Sequence, residues 1–175
     1  MVLVVMGVAG SGKTTLGVRV AKTLAWEFAD GDDFHPAANI EKMAHGIPLT
    51  DSDRAPWLAT LRRLIEDWLA AGKSGVLACS ALKATYREEL KIDSRVVFVY
   101  LKASPEVLLE RLRARSGHYM KPGMLESQLA TLEEPGDAIV VDVSGPIERT
   151  VQTILKGIGK PDDSKRPGGA HPSMQ

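Results

Sequence analysis

Val2-Leu3-Val4-Val5-Met6-Gly7-Val8-Ala9-Gly10-Ser11-Gly12-Lys13-Thr14 is the stretch that decides the fold. Its opening run is apolar and rich in Val, which suits a buried strand. Residues 7–14 then match G-x-x-x-x-G-K-[ST] in full, and Thr15–Leu24 can continue as a helix. Strand, glycine loop and helix N-terminus bind phosphate for a physical reason. Glycines let successive backbone N–H groups turn inward onto phosphate oxygens, and the helix end adds positive potential. Gly7, Ala9, Gly10, Ser11, Gly12, Lys13, Thr14 and Thr15 are therefore expected around the phosphates of ATP. Lys13 is expected to bridge the β- and γ-phosphates, and the Thr14 hydroxyl to face Mg²⁺.

Working outward, Trp26–Ala29, Gly75–Cys79, Val96–Leu101 and Ala138–Val143 are further apolar runs without clean alternation. Continuous apolar strands separated by helical patterns mark a parallel sheet covered on both faces. The expectation is a three-layer α/β domain with five parallel strands. Trp57, Leu58, Leu61, Leu64, Ile65, Trp68 and Leu69 recur at helical spacing, which predicts an amphipathic helix over 55–71. Asp51, Ser52 and Asp53 offer caps ahead of it, and Pro56 fits its first turn. Ser104-Pro105-Glu106 opens another helix, and a last one runs from Ile147 to about Leu155. One domain over 1–158 follows. The segment 159–175 carries Pro, Gly, Ser and charge with little to bury, and is expected to be a disordered tail.

Lys+Arg and Asp+Glu both total 22, so the formal net charge is zero. No overall field draws nucleic acid or an anionic membrane, and neither is expected as a partner. The single cysteine, Cys79, excludes an intramolecular disulfide and suits a cytoplasmic setting. It ends an apolar run, where a small buried residue is expected rather than a nucleophile. The four histidines, at 35, 45, 118 and 171, show no zinc-ligand spacing.

A phosphate loop leaves open what receives the phosphate. Motor ATPases and switches place a metal-holding acid at the end of an apolar strand. Asp30 and Asp142 both end strands here, but only one helix follows Asp142, too little for a sensor module. Asp142 therefore reads as a polar strand end. Asp30 and Asp32 stand two apart, so in an extended segment both project to one side, with Gly31 between them admitting a ligand. One carboxylate would organise Mg²⁺ and the other would accept a hydrogen bond from an attacking hydroxyl.

The basic residues add to this. On a helix over 105–115, Arg111 and Arg115 fall on the apolar face, where a cation needs an anionic partner. ATP phosphates would supply one, with Arg115 suited to the transferring group; a structural ion pair explains Arg111 equally well. Ser116 to Gly123, with two glycines, reads as a lid over about 116–124 that brings His118 and Lys121 towards phosphate. Lys83, Tyr86 and Arg87 share a helical face, and with Arg54 they would form a carboxylate-reading pocket.

Four segments in order resemble the bacterial gluconate kinases, within the shikimate and adenylate kinase-like group: MGVAGSGKT at 6–14, DGDDFHPAANIEKMAHGIPLTDSDRAPWL at 30–58, CSALKATYRE at 79–88 and RLRARSGHYMKPGMLESQLATLEEP at 111–135. The resemblance runs from Val4 to about Leu155. It implies an adenylate kinase-like P-loop fold with a lid, ATP-dependent phosphorylation of D-gluconate at its terminal hydroxyl, and a homodimer. By similarity, Asp30 would serve the metal and Asp32 the acceptor hydroxyl, with Arg54 and Lys83 in the acceptor region. The same match implies contacts from His35, Asn39 and Gln128. Two rival readings are a shikimate-type kinase with another anionic acceptor, and an NTP-driven switch that transfers to nothing.

Overall fold

Among the described residues five strands pair into one wholly parallel sheet: β1 (Val2–Met6), β2 (Glu27–Asp30), β3 (Gly75–Ala78), β4 (Val96–Lys102) and β5 (Ile139–Asp142), in the spatial order β2-β3-β1-β4-β5. The structure, a computed structural model, describes residues 1–114 and 122–159. Seven helices occupy those residues: α1 (Lys13–Leu24), α2 (Ala37–Ala44), α3 (Asp51–Ala70), α4 (Ala84–Leu90), α5 (Pro105–Ala114), α6 (Pro122–Thr131) and α7 (Ile147–Gly157). A short 3-10 turn, Gly31–Phe34, follows β2. Arg115, His118 and Lys121, most of the expected lid and the tail from residue 160 lie outside the described residues.

β1 shows why its residues alternate in role without alternating in polarity. Val2, Val4 and Met6 pack into one core with α3 and α4, while Leu3 and Val5 pack into another with α1 and α7. Side chains of a strand point to opposite faces in turn, and both faces here are covered, so every position is apolar. All five residues of β1 are 0% exposed.

The strand order fixes where a ligand goes. After β1 the chain builds β2 and β3 to one side, then β4 and β5 to the other. Neighbouring connections therefore part at the carboxyl end of β1, and such a switch point opens a crevice. The phosphate loop lies there.

Three expectations need correction. The long helix starts at Asp51, not near 55, because Thr50 rather than Asp51–Asp53 is its N-cap. Thr50 accepts from the Asp53 N–H, and the Asp53 carboxylate accepts from the Thr50 N–H at 2.9 Å, a reciprocal capping box. Pro56 consequently sits inside the helix, beyond its first turn, where the missing N–H withdraws one bond from the ladder. The second strand is displaced towards Asp30: Trp26 precedes it and Asp30 pairs in register with Ala78. Asp30 and Asp32 do not share an extended segment, because the chain turns at Gly31.

Candidate active site

The phosphate loop joins β1 to α1. Gly12 caps α1 at φ 91°, a left-handed conformation that costs glycine least. Lys13 Nζ donates to the Val8 carbonyl at 3.1 Å, folding the side chain back over its own loop. Gly10, Ser11, Gly12 and Thr15 face a cleft of about 370 Å³ shared with Arg111, Val143, Gly145, Ile147 and Thr150. Ser11 Oγ is fully buried and has no hydrogen-bond partner among the described residues. A buried hydroxyl without a partner is costly unless something polar arrives to satisfy it, and phosphate oxygens do so. The loop therefore fits a nucleoside triphosphate.

Arg111 borders this cleft half-buried, and it donates to the Val143 carbonyl. That bond holds α5 against the segment after β5. Among the described residues Arg111 makes no ion pair, and the carbonyl of Val143 is its partner instead. Asp142 accepts from the Ser144 N–H at 2.7 Å, which closes the turn after β5. It lines neither of the cavities that the phosphate loop borders.

At the end of β2 the two acids part company. Asp30 Oδ2 accepts the Thr14 hydroxyl at 2.6 Å, and Asp30 Oδ1 accepts the Asp32 N–H at 3.1 Å. Asp30 thereby caps the 3-10 turn and stands beside the first residues of α1. Thr14 and Asp30 fit Mg²⁺, which binds through few protein oxygens and keeps waters and phosphate oxygens for the rest. Asp32 instead lines the neighbouring cavity. Gly31 is needed for a different reason from the one expected. A Cβ there would sit 2.8 Å from the Ala78 carbonyl oxygen, so the close neighbour is β3 and not a ligand.

That neighbouring cavity, about 260 Å³, runs from Ala9 and Lys13 past Asp32 to His35, Arg54 and Trp57. Ser80 and Gln128 of α6 also line it. Its volume is near the lower end for small-molecule sites, about 300 Å³. His35 stacks on Trp57 with centroids 4.3 Å apart, and Trp57 Nε1 donates to the Gly31 carbonyl at 2.7 Å. Burial holds the His35 imidazole below its ordinary range; Asp32 opposes this and Arg54 reinforces it. Asn39 Nδ2 lies 3.4 Å from His35 Nδ1. An amide nitrogen only donates, so Nδ1 is the acceptor and the ring proton sits on Nε2.

Arg54, Lys83 and Arg87 are not brought onto one pocket. Arg54 Nη1 donates to the Leu49 carbonyl at 2.6 Å and lines the cavity. Lys83 precedes α4 as its N-cap and gives its ammonium to both oxygens of Asp51 at 2.8 Å. Arg87 is 8% exposed and donates to the Ala81 and Leu82 carbonyls, both at 3.1 Å. Ala81 has φ 43°, a left-handed state costing a non-glycine residue about 1–2 kcal/mol. Arg87 holds that turn, and the Gly7 N–H donates to the Ser80 carbonyl beside it. Asn39 is also internal: Nδ2 donates to the Asp53 carbonyl at 2.8 Å, pinning α2 to α3.

Some of the cavity's walls have no counterpart in the expected set. Met43, Ile47, Pro48, Leu49 and Met124 give it apolar walls. Asp51 and Tyr86 form a network behind Arg54. The Tyr86 hydroxyl donates to Asp51, whose carboxylate is held below the usual range first by Lys83 and then by Tyr86. Arg54 Nη1 lies 3.5 Å from the same hydroxyl. The Thr50-x-x-Asp53 pattern was the readable clue to this corner, since it sets where α3 begins and so where Asp51 and Arg54 point.

A parallel sheet with a phosphate loop at its switch point, opening on one side to a nucleotide cleft and on the other to an acid-lined cavity, defines the P-loop kinase class. Residues 2–135 match the family model described as an AAA domain. The chain is 52% identical over 145 residues to gluconokinase from Gluconobacter oxydans, covering 82% of each, and so belongs to the gluconokinase family. It is 43% identical to the thermoresistant gluconokinase of Escherichia coli, covering 91% of this chain and 94% of that one. Among solved structures, a gluconokinase from Sinorhizobium meliloti superposes with a TM-score of 0.81 at 43% identity, covering 89% and 90% of the two chains. A sugar kinase from Janibacter sp. gives 0.84 at 45% identity, covering 90% and 93%.

Proposed function

We propose that this chain phosphorylates D-gluconate at its terminal hydroxyl with ATP, giving 6-phospho-D-gluconate by direct in-line transfer. The observation that carries the reading is one cavity lined at once by Lys13, Asp32 and Arg54. A phosphate-handling cation, an acid and a carboxylate-reading arginine there share one small space. Family membership favours gluconate over a shikimate-type acceptor.

Arg54 pairs with the acceptor's carboxylate, since its guanidinium is anchored at Leu49 and matches a carboxylate in two hydrogen bonds. The far hydroxyl then lies against Asp32, which orients it and takes its proton late in the transfer. Lys13 and Arg115 balance charge on the transferring phosphoryl, and the loop amides with Ser11 hold the triphosphate. Mg²⁺, when bound at Thr14 and Asp30, neutralises charge on the phosphate oxygens. The transition state is loose, so positioning outweighs base strength. His35 and Gln128 act as acceptor contacts, and Arg111 borders the nucleotide. Lys83 is held back by Asp51, and Asn39 and Arg87 contribute by supporting the walls. The apolar rim from Met43 to Leu49 excludes water, which competes with the acceptor.

Mg²⁺ as the metal, a cytoplasmic setting, which the lone buried Cys79 suits, and a homodimer belong to the same proposal. Nucleic acid and membrane are not partners in it; among the described residues no helix is long and apolar enough to cross a membrane. The decisive test measures ADP release with and without a panel of sugar acids. Strict dependence on gluconate is the expected result; turnover indifferent to every acceptor would instead mark an NTP-driven switch.

A further inference from the structure

The Gln128 side chain stands where the two halves of the site meet. Of the phosphate loop, Ala9 and Lys13 line the acceptor cavity, whereas Gly10, Ser11, Gly12 and Thr15 line the nucleotide cleft. Ala9 is thus the point at which the loop passes from one to the other. Its N–H donates to Gln128 Oε1 at 2.7 Å, a contact between residues 119 apart in the chain. A backbone N–H only donates, so the oxygen end of the carboxamide is bound to face Ala9, and the NH₂ end is fixed the other way.

Gln128 lines the acceptor cavity together with Met124 and Ser127 of the same helix. With Oε1 engaged, two Nε2 donors are what its carboxamide offers an incoming acceptor. The rest of α6 is anchored elsewhere. Leu125 is buried with Val8, Leu82 and Leu108, and just past the helix Glu133 exchanges hydrogen bonds with the Leu82 carbonyl and the Ala84 N–H. Those contacts fix the height of α6 on the domain, and the Gln128 bond sets its register on the phosphate loop.

We propose that Gln128 couples the two substrates: Oε1 ties α6 to the phosphate loop at Ala9, while Nε2 donates to an acceptor oxygen beside the phosphoryl being moved. The inference deepens the kinase reading and rests on it. Binding of the acceptor then registers its reacting hydroxyl against the loop that holds the triphosphate, through one planar group.

Two near-isosteric variants separate this from a purely structural role. Gln128→Glu keeps an oxygen for the Ala9 N–H, loses the donors and sets a carboxylate towards an anionic acceptor. Gln128→Met loses both ends but adds no charge. Steady-state kinetics with gluconate and ATP, alongside thermal melts, should give a gluconate KM raised roughly 3- to 10-fold in Gln128→Met and further still in Gln128→Glu. Gln128→Met should also release more ADP per phosphorylated product than wild type. A structural tie alone predicts the reverse order, with Gln128→Glu close to wild type. That order, or both variants within about twofold of wild type, would overturn the proposal. The wild-type control separates the two failures: ADP release that ignores gluconate would overturn the kinase reading, and this inference with it. Should Gln128→Met fail to fold, Gln128→Glu against wild type still decides, by whether its gluconate KM rises.

Discussion

The phosphate loop and the acceptor cavity share a wall, yet they are built in opposite ways. The loop is contiguous, and its chemistry is main chain: successive N–H groups, a left-handed glycine at the mouth of α1, and one lysine folded over them. The cavity is assembled from side chains at the end of β2, along α2 and the segment before α3, on α3 itself and on α6. A main-chain grip holds any triphosphate, because every phosphate offers the same oxygens. A side-chain cavity is where one acceptor is told from another. Substitutions in the two regions should therefore leave different kinetic signatures.

The sharpest break comes from Lys13→Ala. Loss of its ammonium should lower kcat by roughly 10³-fold whatever acceptor is offered, since it acts on the charge of the transferring group. Next, Asp32→Asn should lower kcat by roughly 10²-fold with modest change in either KM, as measured by coupled ADP release. A rate near wild type would remove Asp32 from the proton-accepting role. Arg54→Lys belongs to the cavity alone: gluconate KM should rise about 10-fold or more while ATP KM stays put, because a lysine cannot match a carboxylate in two bonds. A rise in both would blur the division between the regions.

The smallest effect is a dependence on pH. His35 is held below its ordinary value of 6.5, mainly by burial. The unfolded chain therefore takes up this proton before the folded one does. Stability is full above the unfolded value, and it declines as pH falls through it. Chemical denaturation of wild type should show this decline at mildly acid pH, above the range where carboxylates titrate. His35→Gln should flatten it. An unchanged slope would mean that His35 is not shielded as the cavity geometry requires.

The same contrast explains what could be read from the sequence. Five parallel strands and the phosphate loop were legible because short apolar runs and glycine spacing act locally. Asp32 stood out through the acid pair that ends the second strand and Arg54 through its place near the start of the long helix, and both line the acceptor cavity. Arg87 misled because a helical face says which residues align but not what they meet. Here it meets two carbonyls around Ala81, whose positive φ no residue type announces. Lys83 misled in the same way, since Asp51 claims it only once α3 begins at its true start. Asp30 and Asp32 look equivalent at a spacing of two, and only the 3-10 turn sends one to Thr14 and the other to the cavity. The apolar rim of Ile47, Pro48 and Met124 comes from segments far apart in the chain, and nothing local says that they converge.

The stacking of His35 on Trp57 has an optical corollary. An indole in face-to-face contact with an imidazole changes its emission when that ring gains charge or shifts, and this imidazole borders the space where an acceptor would enter. Of the other two tryptophans, Trp26 packs under the opposite face of the sheet and Trp68 lies against Gly75 at the far end of α3. With both replaced by Phe, Trp57 in the cavity wall would be the one tryptophan left to excite selectively over the tyrosines, and filling of the site could be followed without any label.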